Sequence, residues 1–213
     1  GKAILDFQTN NFPEDLITET NISEPDEMSI AYLFRTYKEM PKIEKKALEL
    51  AKGKILDVGC GAGSHSLTLQ NERNLDVTSI DISPNAIKTC ELRGLKNVKV
   101  QNIMTFENEK FDTILLLMNG TGIFETLKKT SQYLQKLKSL LNPNGQILID
   151  SSDIIYMFDE AEDGSKWVSG NEFYGELTFT ISYKNEIEDA FSWLYLDYNT
   201  LQNAALDNGM QCE

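Results

Sequence analysis

Residues 54–64 read K-I-L-D-V-G-C-G-A-G-S. Ile55, Leu56 and Val58 make an apolar run of the length expected for a strand buried on both faces of a parallel sheet. The run stops at Gly59, Gly61 and Gly63, and a helical pattern begins at Ser64. A strand that turns through alternate glycines into a helix brings bare backbone up to a ligand, because a Cβ would obstruct both the turn and the approach. The first N–H groups of that helix add a place for negative charge or lone pairs. Two carboxylates accompany the loop. Asp57 lies inside the strand, and Asp81 ends the next apolar run, Val77–Asp81, 18 residues beyond Gly63. A carboxylate at the tip of a second strand can accept both hydroxyls of a ribose. The glycines run G-x-G-x-G rather than the G-x-G-x-x-G of a pyrophosphate-binding turn, which speaks against a nicotinamide cofactor.

D-V-G-C-G-A-G at 57–63 followed by S-I-D-I-S at 79–83 resembles the class I S-adenosylmethionine (SAM)-dependent methyltransferase family. The likeness extends from about Gly53 to Asp150. It implies an α/β fold with a doubly wound, mostly parallel, seven-stranded Rossmann-like sheet. It also implies SAM as cofactor and S-adenosylhomocysteine (SAH) as product. In this reading Asp57 holds the cationic amino acid end of SAM, directly or through water, and Gly59, Cys60, Gly61 and Gly63 form the loop around it. Ile82 matches the apolar residue that packs against adenine. Asn102 stands where the family often has an Asp accepting from the adenine amino group; an Asn carbonyl also accepts.

The strongest strand pattern is Phe111–Met118, F-D-T-I-L-L-L-M, which belongs in mid-sheet. Asn119-Gly120-Thr121-Gly122 follows at its carboxyl end, where doubly wound sheets bind ligands. The resemblance implies that Met118–Thr121 line the methyl-transfer site, unless N-G-T-G is only a flexible turn. No N-P-P-Y or D-P-P-Y tetrapeptide stands there, which in this family disfavours methylation of bases or glutamine. Asn119, together with Asp150 at the end of a fifth strand (146–150), is a candidate for a catalytic group, with a capping role as the plainer reading of Asp150. L-N-P-N-G at 141–145 is similar to the family's L-x-P-G-G turn.

Outside this region the pattern is individual. Residues 1–22 read as an irregular arm. Ser23-Glu24-Pro25-Asp26-Glu27 reads as a helix start, with Ile30, Leu33, Phe34 and Tyr37 on one face, and a second helix spans Ile43–Lys52. The cluster Tyr32, Phe34, Arg35 and Tyr37 either packs on the sheet or forms a lid over the site, with Arg35 facing a substrate carboxylate. Residues 1–52 are thus expected to be an N-terminal arm with helices, and 53–213 the SAM-binding domain with an insertion at 151–197. Leu177–Tyr183 and Ala190–Leu196 flank K-N-E-I-E and read as a β-hairpin, followed by a helix at 200–208. Members of the family usually close with two further strands; either 210–213 begins the first of them or the 177–196 hairpin takes that role.

The formal charge is −13 over 213 residues, with no run of Lys and Arg. The charge therefore speaks against nucleic acid as a partner, although an acidic surface suits a basic protein substrate. The longest purely apolar stretch, Ile114–Met118, is far too short to span a bilayer, and no leader of basic and apolar segments is visible. Cys60, Cys90 and Cys212 show no C-x-x-C spacing, which argues against a disulfide framework or a zinc site and suits a cytoplasmic protein. His65, the only histidine, sits in the first turn after the loop as a polar or ligand-contacting residue more readily than as a general base. The expected function is transfer of a methyl group from SAM to a small-molecule acceptor. The rival readings are a SAM-binding protein without catalysis and a methyltransferase acting on a protein.

Overall fold

The computed structural model describes residues 1–168 and 173–213; four residues of the expected insertion, 169–172, lie outside them. The parallel sheet is built from β3 (Lys54–Val58), β4 (Asp76–Asp81), β5 (Asn97–Val100), β6 (Phe111–Leu116) and β7 (Leu141–Ile149), in the order β5-β4-β3-β6-β7. The chain moves outward from β3 to β4 and β5, then returns to place β6 on its other side. The switch point therefore falls between β3 and β6, and every strand ends at the same edge of the sheet.

Alternation along the strands divides the core into two layers. Leu56, Ile114 and Leu116 face Phe124, Leu134 and Leu137, the last two from α5 (Leu127–Ser139). Ile55, Val77 and Leu115 face Leu48 of α2 (Lys42–Leu50) and Leu69 of α3 (Ser64–Asn71). Helix α4 (Pro84–Leu92) starts at Ser83, whose hydroxyl accepts from the Ala86 N–H, with Pro84 supplying a preset φ in the first turn.

The doubly wound α/β expectation is met, and among the described residues the strands divide into two sheets of five rather than standing seven in one. The second sheet is antiparallel: β1 (Leu16–Thr20) and β2 (Ser23–Met28) join β8 (Glu176–Tyr183), β9 (Glu186–Ile187) and β10 (Phe191–Leu194), in the order β10-β8-β1-β2 with β9 on β8. The expected hairpin is present as β8 to β10, but it pairs with strands from the first 30 residues and does not close the parallel sheet. Residues 210–213, after α6 (Tyr198–Asp207), form no strand.

The N-terminal expectations are corrected. Residues 1–22 contain an amphipathic helix, α1 (Lys2–Thr9), and strand β1 rather than an irregular arm. The S-E-P-D-E segment is an edge strand instead of a helix start, and Ile30–Phe34 is a single 3₁₀ turn. Pro25 and the exposed acids suit an edge, where a missing N–H costs nothing and charge discourages further pairing. At the other end of the fold, β6 stops two residues short of Met118, because Met118 and Asn119 turn out of the sheet with φ of 66° and 58°.

Candidate functional site

The strand termini β3, β4, β6 and β7 converge on two loops. In the first, Gly59, Gly61 and Gly63 have φ of 71°, 53° and 80°. Nothing lies within 4 Å of the position a Cβ would take on Gly59 or Gly61, so the backbone is open there, whereas a Cβ on Gly63 would strike Leu95 and Cys90. The first two glycines thus leave a cradle and the third permits close packing of loop on helix. The N–H groups of Gly59 and Cys60 both donate to the Ile80 carbonyl, at 2.9 and 3.1 Å. Asp81 completes the loop: its carboxylate accepts from the Gly61 N–H at 3.0 Å and from the Ser83 N–H at 2.8 Å. Beside it Ile82 is 73 % exposed, an apolar side chain with no protein partner to cover most of it.

Asp57 lies beneath this loop and is only 2 % exposed. It accepts from the Ser66 hydroxyl at 2.6 Å, and Ser66 is 2.7 Å from the Ser79 hydroxyl. Burial raises its carboxyl above the usual carboxylate range, against the opposing pull of His65 and Ser66. Cys60 is buried with Cys90, their sulfurs 3.8 Å apart, and its thiol is raised by the Cys90 contact and by burial. A thiol buried in this way suits packing of the loop on α4. Asn102 sits at the end of β5, exposed, with its carbonyl accepting from the Met104 N–H at 2.8 Å.

The second loop follows β6. Asn119 donates to the Leu194 carbonyl at 3.2 Å, and Thr121 donates to the same carbonyl at 2.9 Å while meeting the Ser151 hydroxyl at 2.8 Å. Asp150 accepts from the Gly120 N–H at 3.2 Å. Burial raises the Asp150 carboxyl, although the N–H groups of Gly120, Asn119 and Met118 pull it down. Its place is that of a carboxylate stapling the loop. Trp193 of β10 fills the space above Gly122, where a Cβ would fall inside the indole ring. Met118 stands half-buried between these contacts and the strand.

Two sets of contacts near the loops escaped the sequence pattern. Glu44, only 3 % exposed, accepts from Nε and Nη2 of the Arg35 guanidinium at 2.6–3.1 Å and meets His65 Nε2 at 2.8 Å. Burial pushes the Glu44 carboxyl up, and the bonds from His65 and Arg35 more than reverse it. Arg35 is therefore taken up inside the protein, where the sequence suggested a substrate carboxylate. Ser64 donates to the Leu33 carbonyl at 2.7 Å, which clasps the Ile30–Phe34 turn onto the glycine loop. Only the closeness of Ser64, His65 and Ser66 to the loop hinted at these contacts; Glu44 looked like an ordinary surface residue of a charged helix.

The switch-point loops, the open glycine cradle and the carboxylate at the tip of β4 define a nucleoside-binding domain of the doubly wound α/β class. A methyltransferase-domain family model matches residues 49–198, well over half of the chain. The chain belongs to the class I SAM-dependent methyltransferase family. It is 43 % identical to a SAM-dependent methyltransferase from Bacteroides fragilis crystallised with SAH, with a TM-score of 0.91 covering 100 % of this chain and 86 % of that one. It is 26 % identical over 160 residues to the ubiquinone biosynthesis O-methyltransferase of Rickettsia typhi, covering 65 % of this chain and 63 % of that protein. A ubiquinone biosynthesis O-methyltransferase of Xanthomonas euvesicatoria is 29 % identical over 112 residues, covering 49 % of this chain and 45 % of that protein. The chain thus matches less than two thirds of the length of these curated relatives.

Proposed function

We propose that this protein transfers a methyl group from SAM to a small-molecule acceptor held above the carboxyl ends of β3 and β6. The observation that carries the reading is the unobstructed backbone at Gly59 and Gly61 beside Asp81 and exposed Ile82. SAM supplies an electrophilic methyl group on a sulfonium with a good leaving group, so the protein's part is positioning and exclusion of water.

Each loop has a role in that task. Asp81 holds Gly61 and the start of α4 in register and offers a carboxylate to the ribose hydroxyls. Ile82 gives the adenine an apolar surface, and the second lone pair of the Asn102 carbonyl accepts from its amino group. Asp57 sets the first turn of α3 through Ser66 and carries negative character toward the amino acid end. Met118 and Asn119, turned out of β6, border the transferring methyl group, while Asp150 keeps that turn in shape. The Ile30–Phe34 turn serves as the lid. Three free cysteines suit a reducing, cytoplasmic setting, and among the described residues no helix is long and apolar enough to cross a membrane.

The relatives named for ubiquinone biosynthesis support a small-molecule acceptor. The test is transfer of a trideuteromethyl group from labelled SAM across a panel of small acceptors and basic peptides, read by mass spectrometry. Labelled small molecules with matching SAH release are expected. Labelling of peptides alone would make the acceptor a protein, and SAH binding with no labelled product would make the chain a binder without catalysis.

A further inference from the structure

Apart from Leu194, which ends β10 in the main core, and Ile17, the antiparallel sheet has one polar and one aromatic face. Thr178, Ser192 and Glu19 are exposed on one side. On the other, Phe179 of β8 is ringed by Phe191, Trp193 and Tyr195, with ring centroids 6.0–6.4 Å away. This face turns inward. Tyr183, four residues along β8 from Phe179, is buried in the same cluster as Ile30 and as Ala62 of the glycine loop. At the opposite end, Trp193 lies on Gly122 of the loop after β6. One end of the aromatic face thus rests on the loop after β6 and the other enters the cluster that holds Ala62, and yet its four rings stay partly exposed. The uncovered parts of these rings are apolar surface that no other part of the described protein covers.

We infer that Phe179, Phe191, Trp193 and Tyr195 form the recognition wall for the acceptor, and that the acceptor is a neutral, flat, unsaturated ring system. This rests on the proposed reading of the cleft as a methyl-transfer site. Offset and edge-on ring contacts reward a flat π-system beyond its apolar area. Ammonium cations also favour aromatic faces, but a protonated amine is held best where a free carboxylate stands beside the rings to replace its hydration. The carboxylates near the cleft have other tasks in this reading: Asp81 takes the ribose, Asp57 lies beneath the glycine loop, Asp150 staples the β6 loop, and Glu44 is paired with Arg35 and His65. Leu194, directly after Trp193, anchors the wall to the loop through the hydrogen bonds its carbonyl accepts from Asn119 and Thr121. A ring lying on the wall is thereby held against the loop at the end of β6.

The test uses a matched pair of probes, 2-naphthol and decahydro-2-naphthol, titrated calorimetrically into the protein with and without SAH. Both carry one hydroxyl, and the saturated probe is puckered and no less apolar. Naphthol is expected to bind at least fivefold more tightly. Phe179→Leu should bring that ratio close to one while leaving SAH affinity unchanged; Phe191→Leu is the second variant should the first not fold. A purely structural role for these rings would weaken both probes together. Equal or tighter binding of the saturated probe, no binding of naphthol, or an unaltered ratio in both variants would overturn the inference. So would a dimer that Phe191→Asp dissociates in a protein that does not bind naphthol, because the wall would then be a contact between copies. Failure of SAH to bind, with the naphthol preference intact, would sink the cofactor reading and leave the aromatic wall standing.

Discussion

Arg35 and Glu44 form a doubly hydrogen-bonded ion pair inside the protein, at 2.6–3.1 Å, and the same Glu44 carboxylate meets His65 at 2.8 Å. The pair ties the segment before α2 to α2, and the His65 contact ties both to the first turn after the glycine loop. It thereby links the covering segment to the part of the fold that binds the cofactor in the proposed reading. Removing one member of a buried pair strands the other charge and costs about 3–5 kcal/mol. Glu44→Ala should lower unfolding stability in urea by an amount in that range, with Glu44→Gln intermediate. A loss under about 1 kcal/mol would show that Arg35 finds water instead.

Gly122 and Trp193 dock the antiparallel sheet onto the β6 loop. Gly122→Ala should destabilise the protein by about 1–3 kcal/mol through overpacking. In a Trp193→Ala background the same change should cost almost nothing, because the ring that obstructs the methyl group has gone. A double-mutant cycle in urea measures this coupling directly. Additive effects would mean that the two residues do not press on one another.

Asp57 should be a destabilising residue kept for its position. Its folded carboxyl is raised, chiefly by burial, so the native state holds the proton more tightly than the unfolded chain. Stability contributed by the protonated form is complete below the ordinary carboxyl value of about 4 and falls as pH rises through the folded value. Asp57→Asn should therefore match or exceed the native protein in urea midpoint at pH 7, gain nothing at pH 4, and bind SAH more weakly. A marked loss of stability at pH 7 would contradict this.

Asp6 carries the opposite sign. Lys184 and Asn11, and then Tyr183, hydrogen-bond its carboxylate at 2.8–3.0 Å and bring the carboxyl down to about 2. The stability it contributes is present above about 4 and is lost as pH falls toward 2. Asp6→Asn should lower the urea midpoint at pH 7, with a deficit that shrinks steadily below pH 4. A deficit independent of pH would assign the effect to packing of α1.

The parts legible in the sequence were those where one physical demand ruled. Ile55, Leu56, Ile114 and Leu115 had to be buried on both faces, so β3 and β6 showed as apolar runs. Gly59, Gly61 and Gly63 had to take positive φ, so the loop between β3 and α3 showed as well. The N-terminal region hid because its signals were ambiguous. A Ser followed by Pro and acids marks a helix start, and the same residues mark a guarded edge strand; pairing with β1, and through it with β8 some 150 residues later, decided the matter. Helix α1 is eight residues long and buries only Ala3, Ile4 and Asp6, too short a pattern to stand out. The Arg35–Glu44–His65 cluster was invisible for a similar reason. Its members are separated in sequence, and read alone Glu44 has an ordinary surface role while Arg35 and His65 suggest ligand contacts. The antiparallel strands were legible as a hairpin, but nothing in their alternation revealed which sheet they join.

The most direct test of the account is calorimetric titration of the protein and of Asp81→Ala with SAH. The Asp81 carboxylate bonds both Gly61 and Ser83, and in the proposed site it also receives the ribose. A hydrogen bond to a charged group is worth about 1.5–3 kcal/mol, so the variant should bind at least tenfold more weakly while the native protein binds one SAH per chain. Native protein that fails to bind SAH, or a variant that binds it equally well, would contradict the account.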